Sequence, residues 1–230
     1  MPRKLRPLVV LAFVAVFASS VDGAQWRSFW ADAFHEGYKT PEQVDAMVAR
    51  AVEGRYNAII AEVLAFHDYD AARGGHGAYW NSSIVPKSRD VAPDFDPLAY
   101  LVERAHANGI EVHCWLVAFR CSVDWPPDRN PTVAAHPEWL MVPSASMGQS
   151  AQIGGYYVFD PGSPDVQDYL MSIVRELCRN YAIDGIHWDY IRYTQTDAGY
   201  PADVTYPRSS LARFRQITGR ADVPSPNDEA

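Results

Sequence analysis

The stretch from Asp184 to Tyr193 (DGIHWDYIRY) holds the residues best suited to chemistry in this chain. Its apolar positions lie between a polar start and a polar end, a pattern typical of a short buried strand. Because side chains alternate along a strand, Gly185, His187 and Asp189 should share one face. A carboxylate at the end of a buried strand is costly unless it is paired or reaches solvent. We therefore predict that Asp189 is a catalytic carboxylate.

Other roles stay open for the polar residues of this stretch. Asp189 could cap the following turn or pair with Arg192, since aspartates at strand ends are often structural. His187 could line the inside of the barrel with its hydrogen bonds made to the protein, or it could donate a hydrogen bond to a substrate hydroxyl beside Asp189. Arg192 follows closely enough to contact a substrate or to keep Asp189 ionised.

Strands and amphipathic helices alternate in the sequence around this stretch. The pattern predicts strands at 26–34, 57–64, 110–119 and 184–189, and helices at 41–53, 97–108, 166–181 and 209–218. This alternation implies a parallel sheet, whose carboxyl edge would hold Asp189 and the long loops 65–95 and 120–165. The predicted fold class is α/β, a (β/α)8 TIM barrel truncated after about four βα units.

Residues 1–23 have the features of a cleavable secretory signal. Arg3, Lys4 and Arg6 precede an apolar run from Leu8 to Ala18, which is too short for a comfortable membrane span. We expect this segment to be removed and residues 24–230 to form the N-terminal part of a barrel domain. The mature protein would then be secreted or periplasmic, without a membrane span.

The composition narrows the classes of partner. The formal net charge is −8 and no basic cluster occurs, which argues against nucleic acid and anionic membranes. The sequence contains seven Trp and thirteen Tyr, a content that weakly favours a glycan partner because the apolar faces of sugar rings stack on aromatic side chains. Packing in the core accounts for most of these residues. The loop His67-Asp68-Tyr69-Asp70 with His76 could suggest a metal, but its spacing matches no standard zinc or calcium pattern. No dinucleotide or phosphate-binding motif occurs, so no metal and no cofactor are expected.

Three cysteines, Cys114, Cys121 and Cys178, occur without a CxxC pattern. Cys114 lies in a predicted strand and Cys178 in a predicted helix, which favours buried free thiols. A bridge between Cys114 and Cys121 stays open.

Five stretches occur in a characteristic order: WRSFWADAF, DPLAYLVERAHANGIEVHCWLVAF, HPEWLM, FDPGSPDVQDYL and DGIHWDYIRY. Together they resemble the glycosyl-hydrolase-like 10 family of secreted bacterial TIM-barrel proteins, from Gln25 to the C-terminus. The resemblance implies a hydrolase acting on glycosidic bonds of a bacterial cell-wall or other polysaccharide. Members of that family continue well past the position where this chain ends, which implies that the chain is an N-terminal portion.

The DGIHWD pattern is also similar to the fourth-strand signature of α-amylase-type barrels. That similarity implies that Asp189 is the nucleophile and His187 a substrate contact. Two positions depart from the family pattern. Thr194 stands where family members often have Pro, and Glu62-Val63-Leu64 stands where the second strand commonly ends in Gln-Val-Arg, so no role carries over to the second strand.

Glycoside hydrolysis usually needs two carboxylates, and amylase-type barrels take the acid from a later strand. We therefore expect the acid beyond residue 230, and substrate-binding roles for the carboxylates within this chain. Trp30, Trp115 and Tyr190 are candidate sugar platforms, with core packing as the alternative for the two tryptophans. The predicted substrate-binding residues are His187, Arg192, Tyr190, Trp115, Trp30, Asp32, Glu62 and Asp160.

A second class of function fits the same sequence. A barrel that kept these aromatic residues but lacks the acid would bind carbohydrate, or serve as a scaffold, without cleaving it. The two hypotheses differ in whether a second catalytic carboxylate exists on a later strand.

Overall fold

The computed structural model describes residues 25–67, 76–122, 131–143, 153, 155–193, 204–205 and 208–221. Its strands are β1 (Ser28–Ala31), β2 (Ala58–Leu64), β3 (Glu111–Val117), β4 (Arg120–Ser122), β5 (Val142–Pro143), β6 (Tyr157–Val158), β7 (Gly185–Asp189) and β8 (Val204–Thr205). Its helices are α1 (Pro41–Glu53), α2 (Pro97–His106), α3 (Pro131–Ala135), α4 (Pro164–Asn180) and α5 (Arg208–Thr218), with a 3₁₀ turn at Pro137–Trp139.

A four-stranded parallel sheet in the order β1-β2-β3-β7 forms the centre of the fold. These are the four strands predicted from the sequence, and α1, α2 and α4 are the helices that connect them. The predicted α/β architecture with consecutive parallel strands is confirmed, with small differences at the ends of elements. Two short antiparallel ladders, β4 with β6 and β5 with β8, lie outside this sheet.

Helix α1 begins as its sequence predicts. The hydroxyl of Thr40 accepts a hydrogen bond from the backbone N–H of Gln43 at 3.3 Å, and proline occupies the first turn, where its missing N–H costs nothing. The buried face of the helix consists of Val44, Met47, Val48 and Ala51. Through these residues the helix packs into the apolar core.

Alternate residues of the sheet point toward the helices and form the core. Ile59, Ala61, Val112 and Cys114 are fully buried in it, and Ile186 and Trp188 are partly buried against it. The predicted division of faces in the last strand is therefore confirmed. We call the opposite side of the sheet, which carries Gly185, His187 and Asp189, the interior face.

Glu176 of α4 anchors the segment that follows β2. Its carboxylate accepts hydrogen bonds from the indole Nε1 of Trp80 at 2.9 Å and from the backbone N–H of Ser83 at 2.6 Å. Burial disfavours its charged form, but the bonds from Ser82, Ser83 and Trp80 outweigh that effect and lower the pKa of Glu176. The segment is thereby tied to a helix almost a hundred residues away in sequence.

No disulfide joins the three cysteines, all of which the structure describes, and the position of one of them departs from expectation. Cys114 and Cys121 are buried, whereas Cys178 is exposed. The prediction that Cys178 is buried was wrong, because the position lies on the outer surface of α4. The predicted signal segment, residues 1–23, lies outside the described residues. Among the residues described, no helix has both the length and the apolar character needed to cross a membrane.

Gly185 should resist substitution because of the His113 ring. A Cβ atom on Gly185 would overlap this ring, lying 2.8 Å from its Cε1, and the ring is held by Glu111 at 3.0 Å. We expect Gly185→Ala to lower the free energy of unfolding of the full-length protein by about 1–3 kcal/mol, measured by chemical denaturation.

Gly37→Ala is the matched control, because a Cβ atom there meets no other atom within 4 Å. Equal stability of the wild type and Gly185→Ala would show that the His113 ring moves aside at no cost.

Candidate active site

The register of the parallel sheet aligns polar side chains near its carboxyl edge. Glu62 of β2 pairs with Trp115 of β3, and Trp115 pairs with His187 of β7. Asp189 lies two residues beyond His187 and pairs with Val117. Asp32 follows the last residue of β1. Residues from four strands therefore meet on the interior face at one edge of the sheet.

A cavity of about 300 Å³ opens at this edge. Asp32, Glu62 and Asp189 provide its carboxylates, and Arg120 provides a cation. Trp30, Trp115 and Tyr190 are among its aromatic walls. The structure thus brings together six of the nine residues predicted for the site, while their roles remain predictions.

Two donors fix the orientation of the Asp189 carboxylate. The indole Nε1 of Trp115 donates to Oδ2 at 3.2 Å, and the backbone N–H of Tyr190 donates to Oδ1 at 2.7 Å. Tyr190 has a φ of 47°, in the left-handed region that non-glycine residues adopt at a cost. The strained turn directly after β7 therefore aims the carboxylate, and Trp115 holds its other oxygen.

Stacked side chains cover the rim beside Asp189. The Cζ of Arg120 lies 3.5 Å from the ring centroid of Tyr190 and 4.2 Å from that of Tyr156. The Cζ of Arg192 lies 4.7 Å from the ring centroid of Tyr190. We call these four residues the Arg120 stack. Cation–π contacts of this kind stabilise the tyrosine in its strained position.

Arg120 was missed by the sequence analysis. It reaches the cavity because β4 follows β3 closely and pairs with β6, where Arg120 lies opposite Val158. The pairing of β4 with β6 closes a loop of more than thirty residues, and no periodic pattern marks such a contact. Its position three residues after a strand that ends at the predicted active edge is the one sequence feature that could have suggested it.

Glu62 is a buried acid with one hydrogen-bond partner for its carboxyl group. The residue is 3% exposed, and its Oε2 accepts from the backbone N–H of Ala33 at 2.9 Å. Burial, the largest effect, raises the pKa of Glu62 to about 7. This value of about 7 also includes a smaller rise caused by the charges of Asp32 and Asp189, and the opposing effects of the Ala33 bond and of the Arg120 charge.

At Asp32 hydrogen bonds outweigh burial in their effect on the pKa, the opposite of Glu62. Burial disfavours its charged form, but hydrogen bonds from the His35 ring and from the backbone N–H groups of Phe34 and His35 prevail and lower the pKa of Asp32. The cavity therefore holds a charged carboxylate just after β1 beside a carboxyl group on β2 that is half protonated near neutral pH. Environments that move the pKa values of two neighbouring carboxyl groups in opposite directions are typical of acid–base sites.

An aromatic surface extends from the cavity along the interior face. Trp30 is 64% exposed, and its ring lies 5.8 Å from that of Trp115 and 5.7 Å from that of His187. Trp30 thus lies on the interior face together with the other two rings, and whether it binds sugar or packs against further residues stays a prediction. His187 joins this surface through its ring contacts with both tryptophans.

Two predicted residues lie away from the cavity. Asp160 is fully buried just after β6, where its carboxylate accepts from the backbone N–H of Gly162 at 3.0 Å. Arg192 is exposed and contacts the ring of Tyr190 without lining the cavity, so Arg120, which lines it, is better placed to neutralise the carboxylates. Among the residues that the structure describes, no group of three or more His, Cys, Asp and Glu side chains could hold a metal ion.

A parallel α/β sheet with carboxylates and aromatic rings at its carboxyl edge is the arrangement of TIM-barrel glycosidases. The chain belongs to the glycosyl hydrolase-like 10 family, whose model matches residues 13–230. The family predicted from the sequence is therefore confirmed.

Two relatives of this chain are also named glycosyl hydrolases. The glycosyl hydrolase DigH of Escherichia coli K12 is 33% identical over 129 residues, which cover 52% of this chain and 29% of DigH. The glycosyl hydrolase YngK of Bacillus subtilis 168 is 25% identical over 169 residues, which cover 70% of this chain and 30% of YngK. The matched segments thus span less than a third of either relative.

A solved structure extends the likeness to the fold. The α-L-fucosidase isoenzyme 2 of Paenibacillus thiaminolyticus superposes with a TM-score of 0.54 at 21% identity. The superposition covers 85% of this chain and 26% of the fucosidase. At this identity the likeness supports the fold alone.

Removing the Arg120 charge should raise the pKa of Glu62 above its value of about 7. The guanidinium favours the ionised form of this carboxyl group, so Arg120→Gln removes one of the two influences that oppose the rise. The measurement is a ¹³C NMR titration of δ-carbon-labelled glutamate, with Glu62→Gln used to assign the signal.

Arg192→Gln is the control, because its guanidinium stacks on Tyr190 without lining the cavity. A Glu62 titration that stays unchanged in Arg120→Gln would show that the two groups are screened from each other.

Proposed function

We propose that this chain is the N-terminal part of a (β/α)8 glycoside hydrolase and that Asp189 is its nucleophile. The observation that carries the proposal is the Asp189 carboxylate at the end of β7, held by two donors inside a cavity with aromatic walls. Membership of a glycosyl hydrolase-like family supports it. So does the short span of the chain relative to DigH and YngK, which leaves room for the remaining strands of a barrel.

In the proposed reaction Asp189 attacks the anomeric carbon of the sugar bound above the interior face. A bond forms between this carbon and a carboxylate oxygen, while the bond to the leaving oxygen breaks. The proton for the leaving oxygen comes from an acid on a later strand, as expected for amylase-type barrels. Water then releases the sugar from Asp189.

The proposed substrate is a polysaccharide or oligosaccharide, such as a bacterial cell-wall glycan. Trp30 and Trp115 offer apolar faces to sugar rings, and His187 lies beside them with a ring that can bond to a sugar hydroxyl. The signal segment predicted at residues 1–23 supports a secreted or periplasmic location, where such glycans occur.

A non-catalytic carbohydrate-binding barrel is the second candidate, because the exposed ring of Trp30 would serve binding equally well. The two functions differ in their demands on Asp189. Catalysis needs its carboxylate to form a covalent bond, whereas binding needs only a polar side chain of similar shape.

Asp189→Asn should abolish hydrolysis by the full-length protein and leave its fold intact. The amide is nearly isosteric but cannot form the covalent intermediate, so turnover should fall by orders of magnitude. The measurement is the release of reducing ends from purified cell-wall glycan strands, alongside a thermal melt.

His187→Ala is the comparison variant and should lose less, on the scale of one substrate hydrogen bond, about 1–3 kcal/mol. Near wild-type turnover by Asp189→Asn would refute the nucleophile assignment. Loss of activity through unfolding would mean that Asp189 has a structural role.

A further inference from the structure

Glu62 has a carboxyl oxygen that the protein leaves available to a ligand. Its Oε2 accepts a hydrogen bond from the backbone N–H of Ala33, and a carboxyl group has further hydrogen-bonding capacity beyond this one bond. The side chain nevertheless lines the cavity at 3% exposure. A buried polar group with spare hydrogen-bonding capacity beside a cavity is a candidate contact for whatever enters it.

The protein holds the Glu62 backbone firmly in place. The hydroxyl of Tyr38, itself fully buried, donates to the Glu62 carbonyl oxygen at 2.5 Å, and β2 pairs on both sides with β1 and β3. A contact made by such a side chain is preorganised, so little entropy is lost when a ligand binds to it.

The direction of the side chain separates Glu62 from the reacting bond. Its carboxyl group is bonded to Ala33 beyond the end of β1, on the side of β2 away from Asp189. The backbones of β2 and β7 are two strand spacings apart, roughly 9–10 Å, with β3 between them. The Ala33 bond holds the Glu62 carboxyl group on the β1 side of the cavity, and we therefore assign it a contact with the sugar ring.

We propose that Glu62 binds in its neutral form and donates a hydrogen bond from its carboxyl group to an oxygen of the sugar, which positions the ring over Asp189. This inference rests on the proposed glycosidase function and adds a positioning residue to it. Asp32, charged and just beyond the end of β1, would accept a hydrogen bond from the same ring, so the pair offers one donor and one acceptor.

The charged and titratable groups around Glu62 favour the neutral form at and below neutral pH. Asp32 faces it from the end of β1, and Asp189 faces it from β7. Arg120 of β4 is the cation that opposes them, and the phenols of Tyr38 and Tyr79 lie close enough to interact with its charge. Together with burial these groups give the pKa of about 7, so the donor should be lost as pH rises through neutrality.

The test is the pH dependence of KM for purified cell-wall glycan strands with the full-length protein. With a pKa of about 7, the neutral fraction of Glu62 falls roughly tenfold between pH 6 and pH 8, so KM should rise about tenfold. Glu62→Gln keeps a donor of the same shape at every pH, so its KM should no longer rise in this window.

Arg120→Gln provides a second readout that does not replace Glu62. Because Arg120 favours ionisation of Glu62, its loss should move the midpoint of the KM profile to higher pH. A KM that is constant from pH 6 to pH 8 in the wild type would overturn the proposal. So would a Glu62→Gln variant whose kcat collapses on substrates with poor leaving groups while KM stays low, since that is the behaviour of a general acid.

Failure of the glycosidase function would be seen separately. If the wild type releases no reducing ends, the proposed reaction is wrong, and calorimetric binding of the same glycan strands at pH 6 and pH 8 tests Glu62 directly. If the affinity of the wild type falls tenfold from pH 6 to pH 8 and the affinity of Glu62→Gln does not, Glu62 donates a hydrogen bond in binding even though the protein hydrolyses nothing. An affinity that is constant with pH, or no binding at all, would overturn it.

Discussion

The in-register pairing of four parallel strands is the constraint on which the rest of the molecule depends. Alternation along each strand sends Ile59 and Cys114 into the apolar core and leaves Glu62, Trp115 and His187 on the interior face. A slip of one residue in any strand would bury its polar residues against the helices and expose its apolar ones. The large cost of that exchange fixes the register, and the register in turn assembles the cavity at the carboxyl edge.

The cavity holds two features that are unfavourable for folding alone. Glu62 is buried with a single hydrogen-bond partner for its carboxyl group, and Tyr190 adopts a left-handed backbone conformation. Each of these costs free energy that apolar burial elsewhere must offset. Their concentration at the edge where Asp189 lies is the pattern expected of a site shaped by binding and chemistry.

Much of this arrangement could be predicted from the sequence, because it depends on short-range patterns. Strand alternation placed His187 and Asp189 on one face, and the strand–helix rhythm placed Glu62 near them at the same edge. Contacts between residues distant in sequence could not be predicted. Arg120 reaches the cavity only through the pairing of β4 with β6, and Asp160 is buried away from it for a similar reason. The raised pKa of Glu62 depends on packing that no single-sequence pattern records.

Trapping of a covalent intermediate tests the role of Asp189 most directly. Fluorine at carbon 5 of a glycosyl fluoride slows both steps of a retaining reaction, while the fluoride leaving group still allows the first step to proceed. The full-length protein would be incubated with 5-fluoro glycosyl fluorides of hexoses and N-acetylhexosamines, and its peptides analysed by mass spectrometry. We expect one fluorosugar attached to Asp189. Attachment to a different carboxylate, or hydrolysis of glycan strands with inverted products and no adduct, would contradict the assignment.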